Sequence, residues 1–394
     1  MNFIFEKMAD QTAPSELPTA AADKTLRVCV VGAGAISREF ALHHFTPASS
    51  STVVTSIVDL NATRAASLAA DVGAVQAGAL ITTVGRKYES TVTKGAAAGR
   101  PVPHATSLSA VLESCDIVFV GVPPMAHASL VLEALAAGKH VLLEKPVAAT
   151  AADADAIVTA AEAAAPALHL GLDIGMRWNP ALHELRRLAV TEAALGALIS
   201  ARLSLRFMTW PRAWQRQPWC AQRLQGGPLR EVGTHFFFGI MECFGHGCVR
   251  RVVASVVYAD DDGAEGSAAE TTVHGTIELV NGLAIALEVL TDGAAAAAEG
   301  EDAYEFEVVG ENGALLLDRF DTLKRTAPED KIGWVVEDGS YGRIESVTSL
   351  VDAIRGERSA ADCGVISARE GRNAQRVLDA ILASGGEWLE VNYD

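Results

Sequence analysis

The sequence has little positive charge, few cysteines and no long apolar runs. Its 394 residues carry 32 Lys and Arg against 49 Asp and Glu, a formal net charge of −17. Nucleic acids and anionic membranes both need a basic partner face, so we expect neither as a partner. No apolar run approaches the roughly 18 residues of a membrane helix. The six cysteines, with His246 between Cys243 and Cys248, lack the paired spacing of a structural zinc site. We therefore predict no metal and a reducing, cytoplasmic location.

A glycine-rich turn follows the first strong strand pattern. Residues 26–31 are continuously apolar apart from Arg27, and residues 32–37 read Gly-Ala-Gly-Ala-Ile-Ser before a helical pattern. Glycines here allow a tight turn and the close approach of a pyrophosphate, while the helix amino end supplies N–H groups. Such a turn is also common without any ligand. The residues that we predict to bind a dinucleotide are Gly32, Gly34, Ala35 and Ile36.

An acid ends the second predicted strand, residues 52–58. Asp59 follows it directly, and an acid at this place accepts hydrogen bonds from the adenosine ribose hydroxyls. Its charge repels a 2′-phosphate, so NAD is favoured over NADP. Arg64 lies close enough in sequence to leave NADP possible. The alternative role of Asp59 is to cap the helix that begins near Thr63.

Two ionisable residues and a proline close another apolar strand. Residues 140–143 lead into Glu144, Lys145 and Pro146. Ligands of open parallel sheets bind at the carboxyl ends of the strands, which gives Glu144 and Lys145 a place in such a site. A charged pair that simply faces water is the alternative interpretation when the segment is considered alone.

Strands and helices alternate from residue 25 to about 175, which predicts a doubly wound parallel sheet of the Rossmann type. Residues 1–24 have no periodicity and predict a disordered lead-in. Residues 73–104 predict a surface insertion. From residue 176 to 394 the pattern changes to alternating strands joined by turns, followed by helices. The predicted fold class is therefore α/β: a Rossmann domain at 25–175, then an α+β domain at 176–394 with a large, open, mostly antiparallel sheet.

Several motifs occur together in a characteristic order. They are the glycine turn at 32–37, Asp59, Val122-Pro123-Pro124 with His127, Ala137-Gly138-Lys139-His140 leading into Glu144-Lys145-Pro146, and Gly226-Gly227-Pro228-Leu229 with Glu231, Gly233 and His235. In these motifs the chain resembles the glucose–fructose oxidoreductase/inositol dehydrogenase/MocA family over nearly its whole length from Arg27. The resemblance implies a dinucleotide-binding domain followed by a domain with an open sheet. It also implies a homo-oligomer, most simply a dimer, that pairs through this sheet, and a C-terminal helix that packs back on the Rossmann domain.

The resemblance also implies roles for single residues. Lys145 would lie beside the nicotinamide and the substrate hydroxyl, with a cis peptide bond to Pro146. Many members have aspartate where this chain has Glu231, whereas His235 matches the family. The cofactor-binding residues that it adds are Val122, Pro123, His127, Glu144 and Arg177.

Hydride transfer from an alcohol also requires removal of the hydroxyl proton. A neutral amine or a neutral imidazole can accept it, so we predict that Lys145 and His235 jointly bind the reacting oxygen, with Glu231 as a third catalytic residue. Which of the two takes the proton stays open. His235 precedes three phenylalanines, so a core position is its alternative. Trp210, Trp214 and Trp219 suit a sugar ring but equally a core.

The leading hypothesis is an NAD-dependent dehydrogenase that acts on a secondary alcohol of a sugar, polyol or cyclic diol. One alternative is a reductase of a non-sugar C=C, C=N or C=O group, towards which the three phenylalanines lean. The other is a non-catalytic protein that senses NAD or a sugar. Lys145, His235 and an acid at position 231 argue against a sensor, which needs no proton-transfer groups.

Overall fold

The computed structural model describes residues 25–83, 90–93, 99–215, 217–259, 267–291, 301–326, 332–336, 342–356 and 358–394. The predicted lead-in, residues 1–24, lies outside these ranges, as do 84–89 and 94–98 of the predicted insertion. Within the described part of the chain, every helix is too short or too polar to cross a bilayer.

The N-terminal domain alternates strands and helices, as the sequence predicts. Three of its central strands, residues 26–31, 117–120 and 140–144, are mostly apolar runs that are buried on both faces, as is typical of parallel strands. In chain order its elements are β1 (Leu26–Val31), α1 (Ala35–Glu39), α2 (Pro47–Ser50), β2 (Thr52–Val58), α3 (Ala62–Gln76), β3 (Leu80–Thr82), β4 (Thr91–Thr93), β5 (His104–Ala105), β6 (Ile117–Val120), α4 (His127–Ala136), β7 (His140–Glu144), α5 (Ala151–Ala164) and β8 (Leu170–Asp173).

Six of the described strands of this domain form a parallel sheet in the order β5-β2-β1-β6-β7-β8. The order reverses between β1 and β6, and ligands of such sheets bind beside that switch point. Asn61 caps α3, since its side chain accepts bonds from the N–H groups of Thr63 and Arg64. The predicted insertion begins inside α3, which continues to Gln76, and it contains the hairpin β3-β4.

The C-terminal domain combines a large sheet with several helices. After the turn at Gly175–Trp178 its elements are α6 (Pro180–Arg186), β9 (Leu198–Arg206), α7 (Thr234–Phe244), β10 (Val249–Tyr258), β11 (Glu270–Leu279), β12 (Ala284–Leu290), β13 (Ala303–Gly310), β14 (Gly313–Asp318), β15 (Thr322–Thr326), β16 (Ile332–Val336), α8 (Arg343–Arg355), α9 (Ala368–Ala383) and β17 (Leu389–Glu390).

Nine of the described strands form this sheet, in the order β16-β15-β14-β13-β9-β12-β11-β10-β17. Every pairing is antiparallel except β9 with β12. The fold class predicted from the sequence is therefore confirmed. Alternation in β9 buries Leu203 and Leu205, while Arg202 and Arg206 on the other face pair with acids of β13 and β12.

The last two long helices pack against the N-terminal domain. Helix α8 contacts β7 and β8, and its Val347, Leu350 and Val351 belong to the core beneath the Rossmann sheet. Helix α9 packs against α5 on one side and α7 on the other. The chain thus returns to the first domain beside the carboxyl ends of β7 and β8, where α8 begins.

Candidate active site

A cleft of about 1280 Å³ lies where the carboxyl ends of the parallel strands face the C-terminal domain. Ligand pockets typically measure about 300 to 1,000 Å³, so this cleft has room for a cofactor and a substrate together. The predicted site residues that line it are Gly32, Gly34, Ala35, Ile36, Asp59, Val122, Pro123, Glu144, Lys145, Glu231 and His235. The same cleft is also lined by Trp214 and Trp219.

The turn after β1 is built for close backbone approach. Gly32 has a φ of +100°, and a Cβ there would clash with the carbonyl oxygen of Gly121. A Cβ on Gly34 would meet nothing within 4 Å, so this glycine faces open space in the cleft. Ser37 stands where many such turns have a third glycine, and its Oγ donates to the Gly121 carbonyl at 3.0 Å. No side chain caps α1, which leaves its amino end to a ligand.

The carboxylate of Asp59 organises this turn. Its Oδ2 accepts a bond from the Ala33 N–H at 2.8 Å, and its Oδ1 accepts from the Asn61 N–H at 2.8 Å. Arg64 also donates to Oδ1, at 3.0 Å. The alternative that Asp59 caps α3 is wrong, because Asn61 caps that helix. Asp59 instead lines the cleft as an anchored negative charge.

Lys145 directly follows the carboxyl end of β7, where Glu231 of the C-terminal domain binds it. Its Nζ donates to the Glu231 carbonyl oxygen at 2.9 Å and lies 3.6 Å from the Glu231 carboxylate. The Lys145–Pro146 peptide bond is cis, which confirms the expectation from the resemblance. Both side chains are mostly buried, so the ammonium group and the carboxylate stay together inside the cleft.

Glu231 and His235 share a helical segment. A π-helical turn at Leu229–Gly233 runs directly into α7, so the residues four apart both line the cleft. The Glu231 carboxylate accepts a bond from Gln215 Nε2 at 2.9 Å. The imidazole of His235 packs edge-on to Phe320, with ring centroids 5.7 Å apart.

Burial and nearby positive charges favour the neutral form of the His235 imidazole. Burial lowers its pKa well below the usual value, and the positive charges of Lys145, Arg343 and Arg212 lower it further. Its ring makes no hydrogen bond to any described residue, although it faces the cleft. A neutral imidazole with both nitrogens available can bind a hydroxyl or carbonyl group of a ligand.

Sequence reasoning missed a carboxyl pair beside Lys145. Glu144 and Asp173 are register partners at the ends of β7 and β8, and both are buried. Burial, with the negative charge of Asp173, raises the pKa of Glu144 to about 8. Ser346 of α8 donates to Asp173 Oδ1 at 2.5 Å. The strand-end rule that selected Glu144 applies equally to Asp173, so this signal was present in the sequence.

His127 does not line the cleft, which corrects its predicted role in cofactor contact. The ring is fully buried in α4, with Nδ1 at 3.0 Å from the Pro146 carbonyl and Nε2 at 2.9 Å from the Val122 carbonyl. Burial lowers the pKa of His127, so the neutral ring donates to one side at a time. Its contacts join the turn after β6 to the segment that follows Lys145.

Arg177 also lies away from the cleft, because its guanidinium binds two carboxylates. It contacts Glu242 of α7 at 2.9 Å and Glu370 of α9 at 2.6 Å. The prediction that Arg177 binds the cofactor is corrected by this placement. His246 completes the cluster, whose carboxylate and imidazole atoms lie within 4.8 Å of one another. Arg177 already supplies the positive charge that these carboxylates need.

The N-terminal half of the cleft suits a dinucleotide. The turn at Gly34 has open space beside its backbone, and the uncapped α1 that follows has free N–H groups, so a pyrophosphate could bind there. The Asp59 carboxylate could accept hydrogen bonds from a ribose. Deeper in, Glu144 Oε1 is buried without a hydrogen-bond partner among the described residues. Buried polar atoms are normally paired, so this oxygen also points to a ligand.

The fold and this cleft define a two-domain oxidoreductase with an NAD-binding Rossmann domain. Residues 26–172 match the GFO_IDH_MocA model, described as "Oxidoreductase family, NAD-binding Rossmann fold". Residues 187–391 match the companion model, described as "Oxidoreductase family, C-terminal alpha/beta domain". The chain belongs to this family, which confirms the resemblance and NAD as the cofactor type.

Individual relatives agree at lower coverage. The chain is 37% identical over 94 residues to YceM of Salmonella typhimurium, whose name describes it as an oxidoreductase, covering 24% of this chain and 30% of that protein. It is 35% identical over 122 residues to 1,5-anhydro-D-fructose reductase of Ensifer adhaerens, covering 30% of this chain and 35% of the relative. The chain thus aligns with only about a third of each curated relative. An oxidoreductase from Thermotoga maritima shares the fold, with a TM-score of 0.72, 16% identity, and coverage of 93% and 99%.

Proposed function

We propose that this protein transfers hydride between a nicotinamide cofactor and a secondary alcohol or carbonyl of a sugar, polyol or cyclic diol. The observation that carries the proposal is that Lys145, Glu231 and His235 line the same cleft as the Gly32–Gly34 turn. These groups come from two domains, and a ligand bound in the cleft would contact both domains. The likeness to an anhydrofructose reductase supports a sugar derivative as substrate.

Lys145 is the proposed proton carrier. Its Nζ has one bond to the Glu231 carbonyl and a carboxylate within 3.6 Å, which leaves donor capacity for a substrate oxygen. In reduction the ammonium group donates a proton to the oxygen as it gains negative charge. In oxidation the neutral amine accepts the hydroxyl proton. Glu231 positions the amine throughout.

His235 is the proposed orienting group for the reacting oxygen. Its lowered pKa and three neighbouring positive charges oppose an imidazolium ion, so it is a weak proton acceptor at neutral pH. A neutral imidazole still forms a hydrogen bond that fixes the position of the oxygen beside Lys145. This division of roles chooses between the two proton acceptors that the sequence left open.

NAD is the proposed physiological cofactor, and it supplies or accepts the hydride when bound. Gly32, Gly34, Ala35, Ile36, Val122 and Pro123 would hold it, with Glu144 near the reacting end. The anchored charge of Asp59 favours a ribose hydroxyl over a 2′-phosphate. Arg64, bonded to the same carboxylate, supports only weak use of NADP.

The test is NADH formation or consumption with a panel of sugars, inositols and diols, for the wild type, Lys145→Met and His235→Gln. We expect Lys145→Met to lower kcat by about 100- to 10,000-fold, the usual contribution of proton transfer. His235→Gln keeps a hydrogen-bonding group and should lose less. Equal turnover by Lys145→Met and wild type, with both proteins folded by circular dichroism, would reject the proposal.

The same panel separates the alternatives. A reductase of non-sugar C=C, C=N or C=O groups would oxidise NADH with enones, imines or simple ketones and ignore the sugars. The buried Phe236, Phe237 and Phe238 belong to the core, so they do not favour this alternative. A sensor would be stabilised by NAD without turnover of any compound.

We also propose a cytoplasmic homodimer that pairs through the outer face of the large sheet. On β10, Val257 lies on the face opposite the buried Val252 and Ala254, and it is more than half exposed although it is large and apolar. All six cysteines are unpaired thiols, which suits a reducing compartment. Light scattering at micromolar concentration should give twice the chain mass, and Val257→Glu should lower it. A monomeric wild type would contradict the dimer.

A further inference from the structure

Four basic side chains whose contacts are described line the cleft, and three of them are neutralised by a carboxylate. The pairs are Arg64 with Asp59 at 3.0 Å, Lys145 with Glu231 at 3.6 Å, and Arg343 with Glu39 at 3.1 Å. The fourth base, Arg212, has no carboxylate within 4 Å among the described residues. In a chain with a net charge of −17, an arginine left without an acid in the cleft is a notable exception.

Neutral groups hold Arg212 in place. Its Nε donates to Gln215 Oε1 at 3.0 Å, and its Nη1 donates to the Tyr304 hydroxyl at 3.3 Å. The guanidinium lies 4.7 Å from the ring centre of Trp214 and 5.5 Å from that of Trp210. Nη2 makes no hydrogen bond to any described residue. The planar charge is therefore oriented while part of its donor capacity is unused.

Gln215 keeps Arg212 apart from the nearest catalytic acid. This buried amide donates from Nε2 to the Glu231 carboxylate at 2.9 Å while its Oε1 accepts from Arg212. A single neutral side chain thus separates the arginine from the carboxylate that serves Lys145. The guanidinium of Arg212 and the carboxylate of Glu231 therefore do not neutralise each other.

Arg212 also lies close enough to the reacting centre to matter for a small substrate. Its positive charge is one of three that lower the pKa of His235. Gln215 is bonded to both Arg212 and the Glu231 carboxylate, so a molecule bound by His235 and Lys145 can extend to Arg212. Trp214 and Trp219 also line the cleft, and their rings offer apolar surface to a sugar.

We propose that Arg212 binds a carboxylate of the substrate, so that the protein acts on a sugar acid or a related hydroxy acid. This inference rests on the proposed hydride transfer and names the substrate class. A guanidinium presents paired donors that match a carboxylate. A phosphate carries up to two negative charges and normally recruits several bases, whereas the other described bases of this cleft are already paired with acids.

The experiment compares matched probes on the full-length protein saturated with NAD. D-glucuronate and D-galacturonate are tested against D-glucose, D-galactose and a hexose monophosphate. Turnover is read from NADH, and binding is read from the shift in the unfolding midpoint. The variants are Arg212→Gln and Arg212→Lys, with Arg187→Gln as a matched control at an exposed arginine of the helical segment that follows α6.

We expect the uronates to bind and to react at least about tenfold better than the neutral sugars, since one charge-assisted hydrogen bond gives this discrimination. Arg212→Gln should raise KM for the uronates by about 10- to 100-fold, with a smaller change for neutral sugars. Arg212→Lys should restore part of the loss, and Arg187→Gln should behave like wild type.

Several results would overturn the inference. They are preference for neutral sugars or for the phosphate, an unchanged KM for uronates in Arg212→Gln, or no uronate-dependent stabilisation of the NAD complex. Failure of the proposed function looks different, because uronates would then stabilise the wild type but not Arg212→Gln, while no probe reacted. Turnover of neutral sugars alone would leave hydride transfer standing and reject the carboxylate.

Discussion

Glu144 and Asp173 lie directly opposite each other at the ends of two adjacent parallel strands, and both carboxyl groups are buried. Two like charges in such a place are unfavourable, so the charged form of Glu144 is destabilised. Burial and the negative charge of Asp173 raise the pKa of Glu144 to about 8, although the positive charges of Lys145 and Arg343 act in the opposite direction. Glu144 therefore titrates near physiological pH, beside the proposed reacting centre.

This relationship predicts the pH dependence of stability in the absence of ligand. Glu144 binds its proton more tightly in the folded chain than in the unfolded chain. Between the ordinary carboxyl pKa of 4.5 and about 8, the contribution of Glu144 to the free energy of unfolding should therefore fall as pH rises, whereas the lowered pKa values of buried histidines act in the opposite direction below 6.5. The slope for one full proton is about 1.4 kcal/mol per pH unit. Urea unfolding at a series of pH values measures it.

Glu144→Gln is the matched variant, because glutamine keeps the shape and cannot lose a proton. Across this window, the free energy of unfolding of wild type relative to Glu144→Gln should therefore fall as pH rises, because the histidines contribute equally to both proteins. Glu270, whose pKa burial raises to about 6, contributes to both proteins and cancels in the comparison. Parallel curves for the two proteins would show that Glu144 is ionised throughout.

Asp59 and Arg64 predict a change of cofactor preference. Asp59→Ser removes the charge that repels a 2′-phosphate and releases Arg64, which lines the same part of the cleft. The ratio of kcat/KM for NADP to that for NAD should rise by about 100-fold, the value of one or two charged hydrogen bonds. The ratio is insensitive to any general loss of stability, because both cofactors are measured on the same variant.

Asp59→Ser with Arg64→Ser tests the cause. If Arg64 binds the phosphate, the second substitution should remove most of the gained preference. A ratio that stays at the wild-type value in Asp59→Ser would mean that other groups select the cofactor.

Local rules predicted much of this molecule. Alternation and apolar runs located the strands of both domains, and the helix at Ala368–Ala383 begins where Ser367 and Glu370 form a capping box. The carboxyl ends of parallel strands meet at one edge, which is why Gly32, Asp59, Glu144 and Lys145 were predicted to share a site. Each of these inferences needs only neighbouring residues and a general rule of topology.

The remaining features depend on distant contacts. The direction of Arg177 follows from acids on α7 and α9, and that of His127 depends partly on the Pro146 carbonyl, all of them distant in sequence. Arg343 lines the cleft from the start of α8, almost 200 residues after Lys145 in the sequence. The parallel pairing of β9 with β12 likewise joins strands that are separated by α7 and two other strands.

Two glycines with a positive φ allow the cost of a steric clash to be distinguished from the cost of backbone strain alone. Gly32 and Gly78 have φ values of +100° and +90°, but of these two only Gly32 would bring a Cβ against the backbone of another segment, at Gly121 just after β6. Gly78→Ala should cost about 1 to 2 kcal/mol of stability, the usual price of this conformation. Gly32→Ala should cost at least about 2 kcal/mol more, since the Gly121 carbonyl must move. Chemical denaturation of both variants measures the difference.

Gly32→Ala should also weaken NAD binding, because the displaced turn belongs to the proposed nucleotide site. Gly78→Ala lies outside the cleft and should bind NAD like wild type in calorimetry. Equal stability of the two variants would show that the close approach to Gly121 carries no energetic weight.

Arg177 connects the turn that contains it to α7 and α9. We therefore expect its substitution to lower the stability of the fold without weakening the binding of NAD. Its guanidinium contacts Glu242 and Glu370, on helices that pack against each other. Arg177→Gln leaves both carboxylates without their cation, and breaking such a partly buried pair should cost about 2 to 3 kcal/mol.

The exposed Arg187, paired with Glu184 and Glu192, provides the comparison. Arg187→Gln should leave the unfolding midpoint almost unchanged, because exposed ion pairs contribute little. The affinity of Arg177→Gln for NAD should equal that of wild type, since Arg177 does not line the cleft. A loss of NAD affinity without a loss of stability would restore Arg177 to the cofactor site, and calorimetry with denaturation of the same samples distinguishes the two outcomes.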